Sequence, residues 1–364
     1  MKIKLSIILA IILPAFVFGQ ELVTRASFEN IQYVQALAWY ENEIYCSGYT
    51  FKTKINDGNS TDAYLVNYDL SLKPKWSLKI ADKHYNEIGA IMRYKEKIYA
   101  LVSQGKMQPL SKDIFLTLYI ILPDGSIAER IPLGRTFYAP SNIAIDGQHL
   151  VFGSTSNAGT SYSSPSTPEI IRYNLTTKKI TKHKGSQGLY YPKKIIATNA
   201  GIFLSDMYLK PNRPNVISLK SGRYGEILLK PKKEEYFLDS YVNKNILTTV
   251  CVFPGVYGDM NKYLKYYYLD LASKKVSTKT IPYANLGWED VRFSTFSTGT
   301  ASWLIVKEAK TKQINYVLLD DKGNINSTLK FDLSNGNSYQ EDYIFRDNLL
   351  LKANSSGIQL YKTE

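Results

Sequence analysis

Three side chains in the first part of the sequence have the chemistry for proton transfer on an acidic sugar: His84, Tyr85 and Arg135. A His beside a Tyr can supply the acid and the base that remove a proton next to a carboxylate, and an Arg can hold that carboxylate through paired hydrogen bonds. These residues predict a lyase-like reaction on a polysaccharide. The alternative is that His84 is an ordinary exposed histidine, because neighbouring residues of a strand point to opposite faces.

Motifs of other reactions are absent from the sequence. It has no Gly-x-Ser-x-Gly motif, no Gly-rich phosphate loop between a strand and a helix, and no cluster of Cys and His at metal-ligand spacing. The sequence therefore favours a protein that is not an enzyme and leaves the lyase as the alternative.

Four carboxylates fall at the starts of two successive repeats: Glu289, Asp290, Glu341 and Asp342. Carboxylates that converge can share a proton or hold a hard cation such as Ca²⁺. The alternative is that these acids are simply solvated at the starts of their strands. Apart from this candidate calcium site, the sequence predicts no cofactor.

An aromatic residue stands at the start of every repeat, at spacings of 45 to 53 residues. Such a ring could stack against sugars, or it could be the packing wedge that each repeat needs. Residues that differ between repeats at this place, Glu87 and Lys193 among them, are further ligand-binding candidates. The aromatic positions are Tyr33, Tyr85, Tyr138, Tyr191, Tyr236, Trp288 and Tyr339.

The elements that must position these residues are short strands in a repeating order. Residues 33–80 read as four apolar stretches rich in Tyr, Val, Ile and Leu, separated by polar turns, which is typical of an antiparallel meander. Six such units follow one another, and a seventh has only three strands. Residues 21–29 supply the missing strand, so the sequence predicts an all-β, seven-bladed β-propeller closed by its N-terminal strand.

One repeat resembles a known group of proteins. The stretch AYLVNYDLSLKPKWSLKI, residues 63–80, is similar to the repeats of quinoprotein-like secreted bacterial propellers, in which a strand ends in Asp and a Trp follows the next turn. Trp76 is the Trp at that place. The resemblance implies a propeller fold and no activity, because the Trp-Asp, Kelch and sialidase Asp-box signatures are absent.

The connections between strands predict two unlike faces. Turns between first and second strands are short, whereas the loops between second and third strands are long in the early repeats. In a meander these loops share a face with the connections into the next repeat. We call this face the loop face and the opposite one the turn face, and we expect a binding site on the loop face.

Basic and aromatic residues occur together in these long loops, and Lys210 and Arg213 are the two that we single out. Lys and Arg can hold anionic groups while Tyr stacks on sugar rings. The loop face is therefore predicted to bind an anionic polysaccharide, with a solvated surface as the alternative. The full set is Lys52, Lys54, Lys106, Lys112, Lys210, Arg213 and Lys262, with Tyr162, Tyr208 and Tyr257.

The start of the chain predicts export. Residues 1–19 have a positive start and a short apolar run, which is typical of a signal peptide. No later run is long enough for a transmembrane helix. We therefore expect a single domain over residues 20–364, secreted or periplasmic, and monomeric. Removal of Lys2 and Lys4 lowers the net charge from +13 to +11, which favours anionic polysaccharides or envelope proteins as partners rather than nucleic acid.

These features together predict a binding or scaffold module associated with the cell envelope, with a propeller-type polysaccharide lyase as the alternative.

The two cysteines, Cys46 and Cys251, fall in the second strands of the first and fifth repeats. In a ring those strands lie much farther apart than the roughly 7 Å between Cα atoms that a disulfide allows. We therefore expect that alkylation of the denatured, non-reduced protein modifies both thiols, as mass spectrometry would show. A crosslinked Cys46–Cys251 peptide would contradict the assignment of repeats.

Overall fold

The structure, a computed structural model, describes most of the chain after residue 19. The described ranges are 20–52, 60–82, 85–105, 114–136, 140–157, 166–186, 191–253, 263–282, 288–290, 301–308, 314–320, 325–331, 342–346 and 349–363. In these ranges the regular elements are all β-strands. The predicted signal peptide lies outside the described residues.

The strands form antiparallel sheets that follow one another along the chain. We number the sheets 1 to 7. Sheet 1 contains β2 (Tyr33–Tyr40), β3 (Glu43–Phe51), β4 (Thr61–Tyr68) and β5 (Pro74–Ile80). Sheet 2 contains β6 (Tyr85–Tyr94), β7 (Lys97–Gly105), β8 (Ile114–Ile121) and β9 (Ile127–Arg135). Sheet 3 contains β10 (Ala144–Asp146), β11 (His149–Asn157), β12 (Ser166–Asn174) and β13 (Ile180–Lys184).

The remaining sheets repeat this order with two variations. Sheet 4 contains β14 (Pro192–Thr198), β15 (Gly201–Asp206), β17 (Val216–Lys220) and β18 (Arg223–Ile227). Sheet 5 contains β19 (Glu235–Asn243), β20 (Ile246–Phe253), β21 (Tyr263–Asp270) and β22 (Val276–Pro282), and β16 (Tyr208–Leu209) pairs with β19. Sheet 6 contains β23 (Trp288–Asp290), β24 (Ala301–Glu308), β25 (Ile314–Asp320) and β26 (Ile325–Phe331). Sheet 7 contains β27 (Asp342–Arg346), β28 (Leu349–Asn354), β29 (Gly357–Thr363) and β1 (Gln20–Ala26).

The propeller class is confirmed by this arrangement. The number of hydrogen-bonded sheets and the number of blades differ. Hydrogen-bonded ladders among the described strands give seven sheets, whereas a count of blades gives six rather than the predicted seven.

Burial explains why the inner strands are mostly apolar, whereas the outer strands alternate between exposed and partly buried residues. In β20, at the middle of sheet 5, seven of eight residues are buried, but β22 at its outer edge has none. An inner strand is covered on both faces by the neighbouring sheets, while an outer strand has one face in solvent. The hydrophobic effect therefore acts mainly between sheets.

Apolar clusters join consecutive sheets around the ring. Residues of sheets 1 and 2 pack together, as do those of each following pair up to sheets 5 and 6. Sheet 7 packs on sheet 1 through another cluster, and β1 contacts β26 of sheet 6. The sheets therefore follow one another in a closed ring.

The N-terminal strand closes the last sheet, as the sequence predicts. The β1 strand pairs antiparallel with β29, from Gln20 opposite Thr363 to Ala26 opposite Ile358. A bulge between Leu22 and Thr24 interrupts the ladder, and Val23 is 52% exposed. The pairing joins the two ends of the described chain and covers the edge that β29 would otherwise expose.

A tryptophan fills the turn-face end of the groove between sheets 1 and 2. The Trp76 Nε1–H donates a hydrogen bond to the carbonyl oxygen of Pro123 (2.8 Å). Its ring lies over Gly125, where a Cβ would meet Trp76 Cδ2 at 2.7 Å. Gly125 also has a φ of +87°, so both the turn and the contact favour glycine.

Both cysteines lie in second strands, Cys46 in β3 and Cys251 in β20. Both are fully buried and neither forms a disulfide. Burial raises the pKa of each thiol, so both behave as small apolar side chains.

Gly357 provides a point test of ring closure. Its φ is +143°, and a Cβ there would overlap the carbonyl oxygen of Ala26 in β1. We expect Gly357→Ala to lower the free energy of unfolding by roughly 2 to 4 kcal/mol, through strain and loss of β1 pairing. Gly222→Ala is the matched control, because Gly222 also has a positive φ (+76°) but open space around it, and it should cost only about 1 kcal/mol. Equal losses in urea unfolding would show that β1 adds little to closure.

Candidate functional site

The first strands share a feature that the sequence analysis missed. Five of them carry a β-bulge near their start, where one residue has no partner in the second strand. A bulge re-aims side chains and strengthens the local twist. The extra residues are Gln35, Gly89, Lys193, Leu238 and Glu289.

Polar side chains near the starts of three first strands contact the next sheet. The Asn142 Oδ1 accepts the N–H of Ile195 (2.9 Å), and its Nδ2 donates to the carbonyl of the same residue (2.8 Å). The Asp342 carboxylate accepts the N–H of Leu37 in sheet 1 and that of Tyr343. Lys194 forms an ion pair with buried Asp239 of sheet 5. The predicted acid Asp342 therefore holds two sheets together.

Lys193 and Asp342 are the two predicted site residues that interact across sheets. Burial raises the pKa of Asp342 to about 6, while its backbone hydrogen bonds and the charge of Lys193 oppose that rise. Lys193 belongs to sheet 4 and Asp342 to sheet 7, so both act on the same interior space of the ring. The side chain of Asp290 lies outside the described residues, as does all of Glu341, and the predicted calcium site stays a prediction.

The predicted acid and base pair has a different arrangement. The Tyr85 hydroxyl donates a hydrogen bond to Glu87, and burial raises the pKa of both groups. Tyr85 therefore stays protonated at neutral pH and is unsuited to act as a base. His84 lies outside the described residues.

Arg135 does not join Tyr85. It ends β9, the fourth strand of sheet 2, whereas Tyr85 begins β6, the first strand. Three strand spacings of about 4.8 Å separate their backbones by roughly 14 Å. The exposed Arg135 guanidinium instead lies 5.5 Å from the ring centroid of Phe115. A joint lyase site of His84, Tyr85 and Arg135 stays a prediction that this placement disfavours.

The predicted aromatic positions are linked through aromatic residues that the sequence analysis did not assign to the ring. Tyr33 stacks on Tyr49 (5.1 Å between centroids), which also contacts Tyr85 at 6.4 Å. Tyr191 and Tyr236 both contact Tyr208, at 5.1 and 5.2 Å. Each link joins neighbouring sheets. Tyr138 and Tyr339 lie outside the described residues, and only the backbone of Trp288 is described.

A buried ion pair holds the cluster of Tyr191 and Tyr208. The Asp206 Oδ1 accepts the N–H groups of Tyr191 (3.0 Å) and Tyr208 (3.2 Å), and its Oδ2 lies 3.3 Å from Arg213 Nη2. Asp206 is 2% exposed. Burial raises the pKa of Asp206 to about 7, although the hydrogen bonds and Arg213 act in the opposite direction.

The described basic residues of the loop face are therefore less free than the sequence suggests. Arg213 is bound to Asp206, and Lys210 forms an ion pair with Glu234 (2.9 Å). Lys52 forms one with Asp62 (2.5 Å). Arg135 differs, since no carboxylate of the described residues lies within ion-pair distance of it.

Exposed aromatic side chains concentrate on the loop face. Among the described residues, each aromatic side chain that is more than about one third exposed lies at the loop-face end of its strand. The Arg135 guanidinium lies over exposed Phe115. In sheet 5, Lys210 lies over half-buried Tyr208 and Lys233 over buried Phe253. The sequence analysis missed Phe51 and Phe115, although strand-end aromatics beside long loops were a usable signal. The exposed set is Tyr33 (37%), Phe51 (39%), Phe115 (45%) and Tyr236 (41%).

The described residues show neither a metal-binding cluster nor a membrane-spanning helix. They contain no group of three or more His, Cys, Asp or Glu side chains placed to bind a metal ion. They also contain no helix that is long and apolar enough to cross a membrane.

Comparisons with known proteins support the fold alone. No family model matches the chain, and no curated protein matches it either. Solved structures do. The β-propeller domain of the Trilobed protease from Pyrococcus furiosus is 11% identical, with a TM-score of 0.54 and coverage of 93% of this chain and 96% of that domain. That domain is described as having an open velcro topology, whereas β1 and β29 pair here.

Two enzymes from other organisms contain a similar arrangement. The acylaminoacyl peptidase of Pyrococcus horikoshii is 10% identical (TM-score 0.57), with 91% of this chain and 52% of that one covered. The sialidase of Trypanosoma rangeli is 9% identical (TM-score 0.50), with 94% and 59% covered. This chain thus spans about half the length of the peptidase. At such identities the likeness carries no activity over to this chain.

The Asp206 carboxyl group should make stability depend on pH. Its pKa is raised in the folded state, so it stabilises the fold at low pH, and that contribution is lost as the pH rises toward about 7. One pKa unit corresponds to about 1.4 kcal/mol, so the loss between about pH 4 and about pH 8 should be on the order of 4 kcal/mol. Asp206→Asn keeps the acceptor for Tyr191 and Tyr208 but removes the charge, and should flatten this slope in urea unfolding. An unaltered slope in Asp206→Asn would contradict the assignment.

Proposed function

We propose that the protein is a non-catalytic binding or scaffold module that recognises an anionic polysaccharide on its loop face. The observation that carries this proposal is the concentration of exposed aromatic side chains on that face, one of which, Phe115, has the Arg135 guanidinium over its ring. Flat apolar rings pack on the faces of sugar rings, and neighbouring cations pair with carboxylate or sulfate groups.

Phe115 and Arg135 are the central pair of this proposal. They face each other across β8 and β9 at the loop-face end of sheet 2. Phe115 is 45% exposed, and Arg135 lies over its ring without a carboxylate partner among the described residues. An anionic sugar stacked on Phe115 would place its charge beside the guanidinium. By contrast, Lys210 and Arg213 act mainly through the carboxylates that they already hold.

The charge of the whole chain supports an anionic ligand. The net charge is +13, so anionic polymers are attracted over the Debye length of about 10 Å at 0.1 M salt. Residues 1–19 support export to the periplasm or the outside of the cell, where acidic polysaccharides and anionic envelope components are found. An envelope protein is the alternative partner on the same face.

A polysaccharide lyase remains the second candidate function, carried by the contact between Tyr85 and Glu87. A lyase needs a group that accepts a proton. The Tyr85 hydroxyl is protonated and donates to Glu87, and burial raises the pKa of this carboxyl group above its usual value, so a lyase of this chain would use Glu87 as its base.

Binding to immobilised polygalacturonate tests the proposal. We expect binding at low salt that weakens at physiological salt. Phe115→Ala and Arg135→Glu should each weaken it roughly tenfold, because one removes the stacking ring and the other reverses the charge. Leu70→Ala and Lys220→Glu are matched controls: both residues are exposed and lie at the turn face, and neither change should alter binding.

Equal losses in the loop-face variants and their controls would contradict the loop face as the binding site. Ultraviolet absorbance of the same mixtures separates the two functions, because a lyase forms an unsaturated product that absorbs. Absorbance that grows with time in the wild-type protein and stops in Glu87→Gln would favour the enzyme.

A further inference from the structure

A cavity lies at the turn-face end of sheet 5, far from the proposed loop-face site. Its volume is ≈ 450 Å³, which is within the range of small-molecule sites. The lining residues come from all four strands of the sheet and the first turn. They include Tyr241, Asn243, Lys244, Thr248, Tyr268 and Lys279.

The cavity is on the side of sheet 5 that packs against sheet 6. Tyr241 pairs with Thr248, which pairs with Tyr268, so the three side chains share one face of the sheet. Tyr241 belongs to the apolar cluster that contains Val317 of sheet 6. The cavity therefore lies at the turn-face end of the groove between two sheets.

Comparison with sheet 1 shows how the lining of this groove differs. The strand registers match Tyr40, Tyr45 and Trp76 of sheet 1 with Asn243, Thr248 and Ser277 of sheet 5. In sheet 1 these three aromatic side chains pack on one another, at 6.3 Å and 6.1 Å between centroids, and Trp76 reaches Pro123 of the next sheet. Sheet 5 has three small polar residues at these positions, and its aromatic side chains on this face, Tyr241 and Tyr268, take the register positions of Ala38 and Asn67 and line the cavity.

The remaining walls supply flat rings and positive charge. Tyr268 stacks on buried Tyr266 with 13° between their planes, so its ring is held in one orientation. Lys279 is half-buried in the outer strand, although its strand neighbours Thr278 and Thr280 are exposed. It takes the register position of the apolar Leu78 in sheet 1.

The second cation, Lys244, stands at the mouth of the cavity. It is the first residue of the two-residue turn between β19 and β20, with a φ of +54°, and it is exposed. No carboxylate of the described residues lies within ion-pair distance of Lys244. The described lining thus combines two ammonium groups, an amide, a hydroxyl and two phenol rings, and contains no acid.

We propose that this cavity binds a small carboxylate carried on a six-membered ring. Lys244 pairs with the carboxylate, a Tyr ring packs on the face of the ligand, and Asn243 and Thr248 hydrogen-bond to its substituents. A sugar acid and an aromatic acid share this chemistry. The site is independent of the loop face.

Titration calorimetry with D-glucuronate, benzoate and D-glucose tests the proposal on the full chain. We expect at least one of the two carboxylates to bind at least tenfold more tightly than glucose. Binding of glucuronate alone identifies a sugar-acid site, and binding of benzoate alone identifies an aromatic-acid site. If neither binds more tightly than glucose, the proposal is wrong.

Two variants locate the binding in this cavity. Ser277→Trp introduces the tryptophan that sheet 1 has at this position and should abolish binding, while its unfolding midpoint stays at or above the wild-type value. Lys244→Glu, at an exposed turn, should weaken binding tenfold or more, and Arg135→Glu on the loop face should not change it. Unaltered binding in a folded Ser277→Trp protein, or equal losses in Lys244→Glu and Arg135→Glu, would overturn the assignment.

Discussion

Packing between consecutive sheets is the constraint on which the rest of this structure depends. One four-stranded sheet cannot cover both of its faces, and the inner strands are apolar on both sides, so each sheet is stable only between two neighbours. The first and last sheets of a linear array would leave apolar faces in water. Pairing of β1 with β29 joins those ends, and the apolar cluster between sheets 7 and 1 then covers them.

The polar residues near the inner ends of the sheets follow from the same constraint. Asn142 and Asp342 each reach the backbone of the next sheet, and Lys194 reaches Asp239. These groups are enclosed where apolar packing ends, so each needs a hydrogen-bond or ion-pair partner. Polar residues at the starts of repeats suggest a ligand site when only the sequence is read, as for Asp342. In the structure their contacts hold neighbouring sheets together. Lys193 differs from these residues, because it is the extra residue of a bulge and has no partner in the neighbouring strand.

Differences between repeats, rather than features common to all repeats, create the two candidate sites. Phe115 and Arg135 occupy an exposed strand end on the loop face, where substitution costs the fold little. At the turn face, Asn243, Thr248 and Ser277 stand where sheet 1 has three aromatic residues, and Tyr241 and Tyr268 stand where it has Ala38 and Asn67, so the cavity has a lining that sheet 1 lacks. Both sites are positioned by rigid strands, while the residues that form them are free to vary between repeats.

The sequence by itself determined the strands, their order, the closing role of residues 21–29 and the separation of Cys46 from Cys251, because each depends on local alternation and turn chemistry. It could not determine which polar residues are free. Arg213 looks available in a basic loop, yet Asp206, seven residues earlier, is buried beside it. A local sequence pattern does not predict strand register either. The bulge in β14 leaves Lys193 without a partner in the next strand. The pairing of β21 with β22 shows that Ser277 takes the register position of Trp76 in sheet 1. Those distinctions depend on burial, on strand pairing and on which partner a side chain reaches, none of which a local sequence pattern encodes, so the tertiary structure alone decided them.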